Sequence, residues 1–197
     1  LDLRRRVFLA ATRIQQHAGL HLHSSLKENP IHLLTDDRLG KADDFITIAL
    51  EKGNLKKVND RLLKDHATFT SAYDFHRARI DNPIDVIANA VEPLTQLQRT
   101  VRQIALQPGF WIRRKVARYL MEQAVAEYKK DYHQYYVKGE SKSMEVGMPF
   151  IIKGKSKNVG VLLSHGYMAA PLEVKNLADY LGSLGFWVYV PRLKGHG

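Results

Sequence analysis

The sequence predicts a helical region followed by the opening of an α/β fold with a parallel sheet. Three observations carry the prediction. Apolar residues recur at helical spacing from Leu3 to Tyr136. Near Val137 the texture changes to short aliphatic runs separated by glycine and proline. Within those runs a buried strand, a helix and a second buried strand follow one another, the order of a βαβ unit with parallel strands and a right-handed crossover. The predicted division is an all-α region at 1–137, serving as a cap, a dimerisation module or a separate domain, and an incomplete α/β domain at 138–197.

The elements follow in order. Leu3, Val7, Ala10, Ala11 and Ile14 mark a first helix, and a looser stretch with Pro30 follows Gly19. Phe45, Ile46, Ile48, Ala49 and Leu50 form the apolar patch of a second helix, which Gly53-Asn54 should stop because glycine accepts the left-handed turn at a helix end. A third helix is expected from the shared face of Leu55, Val58, Leu62 and Leu63, with Asn54 as its cap. Asn82-Pro83 is a helix start. Pro93 should kink or divide that helix, and Gln107-Pro108-Gly109 should end it. The last helix of the region is expected from Phe110 to Tyr136, with Ile112, Val116, Tyr119, Leu120, Ala124 and Tyr128 at its apolar positions. Beyond it, Met148–Lys153 reads as a strand and Gly160–Ser164 as a buried strand ended by His165-Gly166. Pro171–Leu184 reads as a helix with Val174, Leu177, Ala178 and Leu181 on one face and Gly185 after its end. Phe186–Val190 is the returning strand, stopped by Pro191.

Composition narrows the class. Apolar residues make up 45% and charged residues 25%, ordinary for a globular domain. There is no run of 18 apolar residues and no clear signal-peptide cleavage site, although the chain opens on Leu1 and a removed targeting segment stays open. No cysteine is present, so disulfides and cysteine-ligated metals are excluded. The expected compartment is the cytoplasm. Net charge is +10, with 23 Lys/Arg against 17 Asp/Glu in residues 1–140 and 7 against 3 in residues 141–197. A charge spread in this way is read as a solubility device, and nucleic acid is disfavoured as a partner.

The stretch Val161-Leu162-Leu163-Ser164-His165-Gly166-Tyr167 and the later Pro191-Arg192-Leu193-Lys194-Gly195-His196-Gly197 carry the functional signal. Together they resemble the α/β-hydrolases, in particular their bacterial carboxylesterase and monoacylglycerol-lipase branch. There the third strand ends in His-Gly and the fourth in Pro-x-x-x-Gly-His-Gly, matched here by Pro191, Gly195, His196 and Gly197. The resemblance covers residues 148–197 only. It implies that Tyr167 supplies a backbone N–H to an oxyanion hole, where a fixed donor meets the charge of a tetrahedral intermediate without reorganisation. It implies further that Gly166 permits the turn that aims this N–H, and that His165 organises the loop.

The family's nucleophile elbow, Gly-x-Ser-x-Gly, occurs nowhere in the chain. The nearest approach, Leu181-Gly182-Ser183-Leu184-Gly185, has its first glycine displaced by one position and lies at a helix end, and Gly139-Glu140-Ser141 lacks the closing glycine. The expectation is therefore a fragment of a serine hydrolase of carboxylic esters, cut before its serine and inactive by itself. It would need no cofactor and no metal, and its substrate in the complete protein would be a small-molecule or lipid ester. The alternative is a non-catalytic helical interaction module joined to a degenerate hydrolase domain. A partial sheet should leave an open edge and bare apolar faces at Val161, Leu163, Trp187 and Val190, and covering of these by the chain's own helices would weaken the missing-half reading. A homo-oligomer is one way to cover them.

Three lesser patterns have ordinary explanations beside functional ones. His76 and Asp81 have the His-x4-Asp spacing of glycerolipid acyltransferases, but Asp81 also suits a helix cap. His17, His21 and His23 cluster without acidic or cysteine partners at ligand spacing, so solvated helix-end histidines are the simpler reading. Trp111 beside Arg113, Arg114 and Lys115, with Tyr128, Tyr132, Tyr135 and Tyr136 further on, has the makings of a contact with a membrane surface. The plainer reading is an amphipathic helix with aromatic core positions.

Overall fold

The computed structural model describes residues 2–35, 40–59, 61–65, 82–84, 86–87, 94–155 and 159–196. The chain divides into two compact units, residues 1–113 and 114–197.

In the first unit, helix α1 (Asp2–Gln15) buries Phe8, Leu9 and Thr12. Leu3 and Val7, expected on the inner face, are exposed. The inner stripe is thus rotated by about one residue from the sequence reading, since Phe8 carries more apolar area than Val7 and takes the core position. Two 3₁₀ turns, Ser24–Leu26 and Pro30–Leu33, come next. The Asn29 side chain accepts the Ile31 N–H at 3.1 Å and Pro30 opens the second turn. Helix α2 (Lys41–Glu51) ends as expected before Gly53, which adopts φ 72°.

The third expected helix is not one. Leu55–Val58 (β1) and Arg61–Lys64 (β2) form an antiparallel hairpin with Leu55 opposite Lys64 and Val58 opposite Arg61. The first 137 residues are therefore not all-α, and Asn54 leads into a strand instead of capping a helix. Two residues link the strands, and Asn59 sits at φ 46°, the left-handed conformation that asparagine tolerates and two-residue hairpins require. Leu55, Val58, Leu62 and Leu63 fit helical spacing and do not alternate, so the two-residue turn at Asn59 overrides the periodicity here.

Helix α3 (Thr95–Ala105) buries Ile104, and α1 packs against it. Arg6 closes its end, with Nη1 donating to the carbonyls of Ile104, Ala105 and Gln107, each at 2.9 Å, while Nε donates to Asp2 at 2.8 Å. The Ile104 carbonyl also accepts the Gln107 N–H at 3.2 Å, and a cation suits the negative end of the helix dipole. The expectation for Pro93 lies outside the described residues.

Helix α4 (Gly109–Tyr135) matches its expected span and buries Ile112, Val116 and Tyr128. The division between the units falls at Arg113/Arg114, earlier than the change of texture near Val137. The second half of α4 shows why, since hydrogen bonds tie it to residues 142–144. The Tyr128 hydroxyl donates to the Met144 carbonyl at 2.7 Å in the short helix α5 (Met144–Gly147), and the Tyr132 hydroxyl donates to the Lys142 carbonyl at 2.8 Å. Burial pushes the Tyr128 phenol above its usual pKa.

The second unit contains a three-stranded sheet of β3 (Phe150–Ile152), β4 (Gly160–Leu162) and β5 (Trp187–Val190) in the order β3-β5-β4. β4 and β5 run parallel, with Val161 opposite Val188, as the βαβ reading requires. β3 pairs antiparallel with β5, Ile151 opposite Tyr189. Between β4 and β5 the chain passes through a 3₁₀ turn (Pro171–Val174) and helix α6 (Lys175–Ser183). α6 ends in a Schellman motif: Gly185 at φ 96° gives its N–H to Gly182 at 2.9 Å, and Phe186 gives its N–H to Leu181 at 3.2 Å. The chain crosses closely at Gly154, where a Cβ would collide with the backbone of Gly185 and Phe186.

Ala178, Val188 and Val190 are fully buried at the centre of this unit, with Phe150, Ile152, Val161, Leu163, Val174 and Leu181 packed around them. Of the faces expected to lie bare, Val190 is covered, Val161 and Leu163 are half-covered, and Trp187 remains 39% exposed. Leu162, on the outer strand β4, is 70% exposed, and Leu177 of α6 also faces solvent. No helix among the described residues is long and apolar enough to cross a membrane.

Candidate functional site

The two motif loops meet where β4 and β5 end. The parallel ladder continues one residue past β4, through Leu163 N–H donating to the Tyr189 carbonyl at 2.9 Å, so His165 and Pro191 leave the sheet side by side. His165 is only 4% exposed. Its Nε2 accepts the Leu193 N–H at 3.2 Å. That nitrogen therefore carries no proton, and Nδ1–H donates to the Gly166 carbonyl at 3.1 Å. One imidazole thus joins the loop after β4 to the loop after β5 and fixes its own tautomer in doing so.

The next residues leave the protein body. Tyr167 is 90% exposed, and Met168, also exposed, adopts φ 58°. Ala169 N–H donates to the Gly166 carbonyl at 3.2 Å, closing the turn. The left-handed residue is thus Met168, whereas Gly166 does not have positive φ and a Cβ there would meet nothing within 4 Å. Gly166, expected to permit this turn, leaves its left-handed position to Met168 two residues later. Among the described residues nothing accepts the Tyr167 N–H, so this donor is available to a ligand. Ser164 does not compete for the imidazole, since its hydroxyl donates to the His165 carbonyl at 3.1 Å.

The second loop closes over the first. Gly195 at φ 84° allows a turn in which His196 N–H donates to the Leu193 carbonyl at 3.1 Å. The His196 ring lies 5.2 Å from that of His165 and 6.3 Å, edge-on, from that of Tyr167. Gly197 lies outside the described residues. Arg192 anchors the loop from below. Its Nε donates to the His196 carbonyl at 2.6 Å, its Nη1 to Asp131 Oδ2 of α4 at 2.7 Å, and its guanidinium stands 5.0 Å over the Tyr128 ring. The Arg192 hydrogen bond holds the Asp131 carboxyl below the usual carboxylate range.

The arrangement can present a backbone N–H, and two histidine rings beside it, to a small anionic or polarised oxygen. Arg192, Asp131 and Tyr128 do not stand out as site residues from the sequence. The available signal is the arginine after Pro191, which becomes informative only once α4 is known to pass beneath it.

The other motif residues lie apart from this site. His17 Nδ1 accepts the Gly19 N–H at 3.2 Å, a local turn contact. Among the described residues, no group of three His, Asp or Glu side chains is arranged to hold a metal. His76 and Asp81 lie outside the described residues. Gly182 and Ser183 end α6, and the Ser183 hydroxyl donates to the Tyr180 carbonyl at 2.7 Å.

Comparison with known proteins gives one short likeness. Over 39 residues the chain is 49% identical to a thermostable monoacylglycerol lipase of Bacillus sp. (strain H-257). The match spans 20% of this chain and 16% of the lipase. No family model and no solved structure matches the chain. The likeness is consistent with an esterase- or lipase-like origin for part of the sequence.

Proposed function

We propose that residues 148–197 form the oxyanion-loop portion of a serine hydrolase acting on carboxylic esters, with lipid-derived esters as the favoured class. The observation that carries the reading is the His165 bridge. It holds the His-Gly loop against the turn at Gly195-His196, and among the described residues the Tyr167 N–H, the donor an ester oxyanion would need, has no acceptor. The short likeness to a monoacylglycerol lipase supports the same class. In this reading Tyr167 contributes its backbone, His165 positions the loop, and Arg192 positions the facing turn. The 197 residues contain no Gly-x-Ser-x-Gly and do not turn over esters by themselves.

The test uses the polypeptide isolated from its native source. It should react with a fluorophosphonate, which labels an activated serine, and hydrolyse short p-nitrophenyl esters. Tyr167→Pro, which removes the N–H, should lower kcat by about 100-fold or more, whereas Tyr167→Ala, which keeps it, should cost far less. Failure of the native protein to label, together with no ester turnover, sinks the reading and leaves the helical interaction module in its place. Full activity in Tyr167→Pro removes the oxyanion role alone.

A further inference from the structure

The corner where α3 gives way to α4 has apolar residues on two sides. Its inner positions are filled: Ile104 and Ile112 are buried, and Arg6 pins the carbonyls of Ile104, Ala105 and Gln107. An outer set is partly exposed. Leu106 is 74% exposed, Phe110 50% and Trp111 46%, with the two aromatic rings 5.2 Å apart.

The chain segment that carries them is basic. Residues 94–121 contain six Arg/Lys and no Asp or Glu. The positive excess that looks diffuse over the whole chain is therefore locally concentrated. Arg102 precedes Leu106 by one helical turn on the same face, with Arg99 one turn before it, and both are exposed. Arg113 is exposed and its guanidinium folds back toward Gly109. Asp2, which also approaches Gly109, is already paired with Arg6.

We propose that this corner docks on an anionic lipid surface, with Leu106, Phe110 and Trp111 entering the headgroup layer and Arg99, Arg102 and Arg113 meeting lipid phosphates and carboxylates. Exposed aromatic and leucine side chains among arginines suit an interface that is wet and anionic outside and apolar beneath. A nucleic acid would use the arginines and leave the three apolar residues without a role. A second copy joined through the same patch would set these positive charges against each other. The surface lies outside the motif loops, and the inference stands or falls separately from the hydrolase reading.

The experiment is co-sedimentation of the full chain with vesicles of phosphatidylcholine alone and with about 30% phosphatidylserine, at low and high salt. The chain should partition to the anionic vesicles at least about tenfold better, and salt should weaken the binding. Phe110→Ser with Trp111→Ser should lower the partition about tenfold or more, and Arg99→Gln with Arg102→Gln should lower it and flatten its salt dependence. A second measurement leaves the corner intact. In a Trp187→Phe background, Trp111 emission should shift to the blue on anionic vesicles and be quenched by brominated lipid. The proposal is overturned by no vesicle binding, by binding without a Trp111 shift, or by duplex DNA that binds and is not displaced by phosphatidylserine vesicles. Dimerisation through the patch without partition overturns it as well.

Discussion

Arg192 reaches across 61 residues of sequence to place its guanidinium 2.7 Å from Asp131, and the same side chain holds the His196 carbonyl at 2.6 Å. One residue thereby fastens the loop after β5 to helix α4. Arg192→Ala should release that loop and lower Tm by several degrees, because a mostly buried side chain with three sets of partners is removed. Arg192→Lys should recover only part of the loss, since a single ammonium cannot serve both acceptors in the fork geometry. Thermal unfolding of the two variants measures the difference.

The pH response arises from the same pair. The Asp131 carboxyl titrates below its ordinary value when folded because Arg192 stabilises the ionised form. Its contribution to stability is therefore fully present above the unfolded carboxyl pKa and disappears as pH falls through the lower, folded pKa. Asp131→Asn should be less stable than the parent at neutral pH, with the gap closing on acidification. Parallel unfolding curves from neutral pH down to strongly acid conditions check the sign; a constant gap would remove Asp131 as its source.

His165 acts as an acceptor at Nε2, so its neutral Nδ1–H tautomer should be visible in the ring ¹⁵N shifts. His165→Ala leaves the Leu193 N–H without an acceptor in a part-buried position and should cost about 1–3 kcal/mol. Urea unfolding gives this value. In addition, the amide of Leu193 should lose protection from hydrogen exchange ahead of those in β5.

Gly154 tests the close crossing in the second unit. Alanine there would drive its Cβ into the backbone of Gly185 and Phe186, which cannot rotate away as a side chain can. A loss of about 1–3 kcal/mol is expected, with the Schellman end of α6 disturbed. Gly139→Ala serves as a contrast: no atom crowds that site, so its cost is the positive φ of 91° alone.

Arg6 makes the corresponding test in the first unit. Arg6→Ala removes a donor shared by three carbonyls at and just past the end of α3, of which Ile104 keeps the Gln107 N–H, and should cost about 1–3 kcal/mol. Amides near the start of α4 should exchange faster in the variant, which hydrogen-exchange measurements can resolve.

The sequence is most readable where punctuation and periodicity agree. Gly53 and Gly185 end helices, Pro191 ends β5, and the apolar positions from Ile112 to Tyr128 set the inner face of α4. It misleads at residues 55–63, where four apolar residues at helical spacing hide the decisive Asn59 turn. At the site, His165, Gly166 and Tyr167 are legible because a local motif names them. Arg192 and Asp131 are not, because their relationship depends on which helix passes under the loop, and no short-range pattern encodes that. The strain at Met168 is hidden for a different reason: methionine is not a residue whose presence announces a left-handed turn.

The strand order β3-β5-β4 also sets a timetable for assembly. Among the described residues β3 and β4 share no ladder, and each pairs with β5, the last of the three to be synthesised. Until residues 187–190 emerge from the ribosome, Phe150–Ile152 and Gly160–Leu162 have no partner in their own sheet, and the parallel pair must wait for the whole α6 crossover. A ribosome stalled before Trp187 would carry a nascent chain whose helices can form but whose sheet cannot, and such chains should be prominent clients of chaperones that bind unpaired apolar strands.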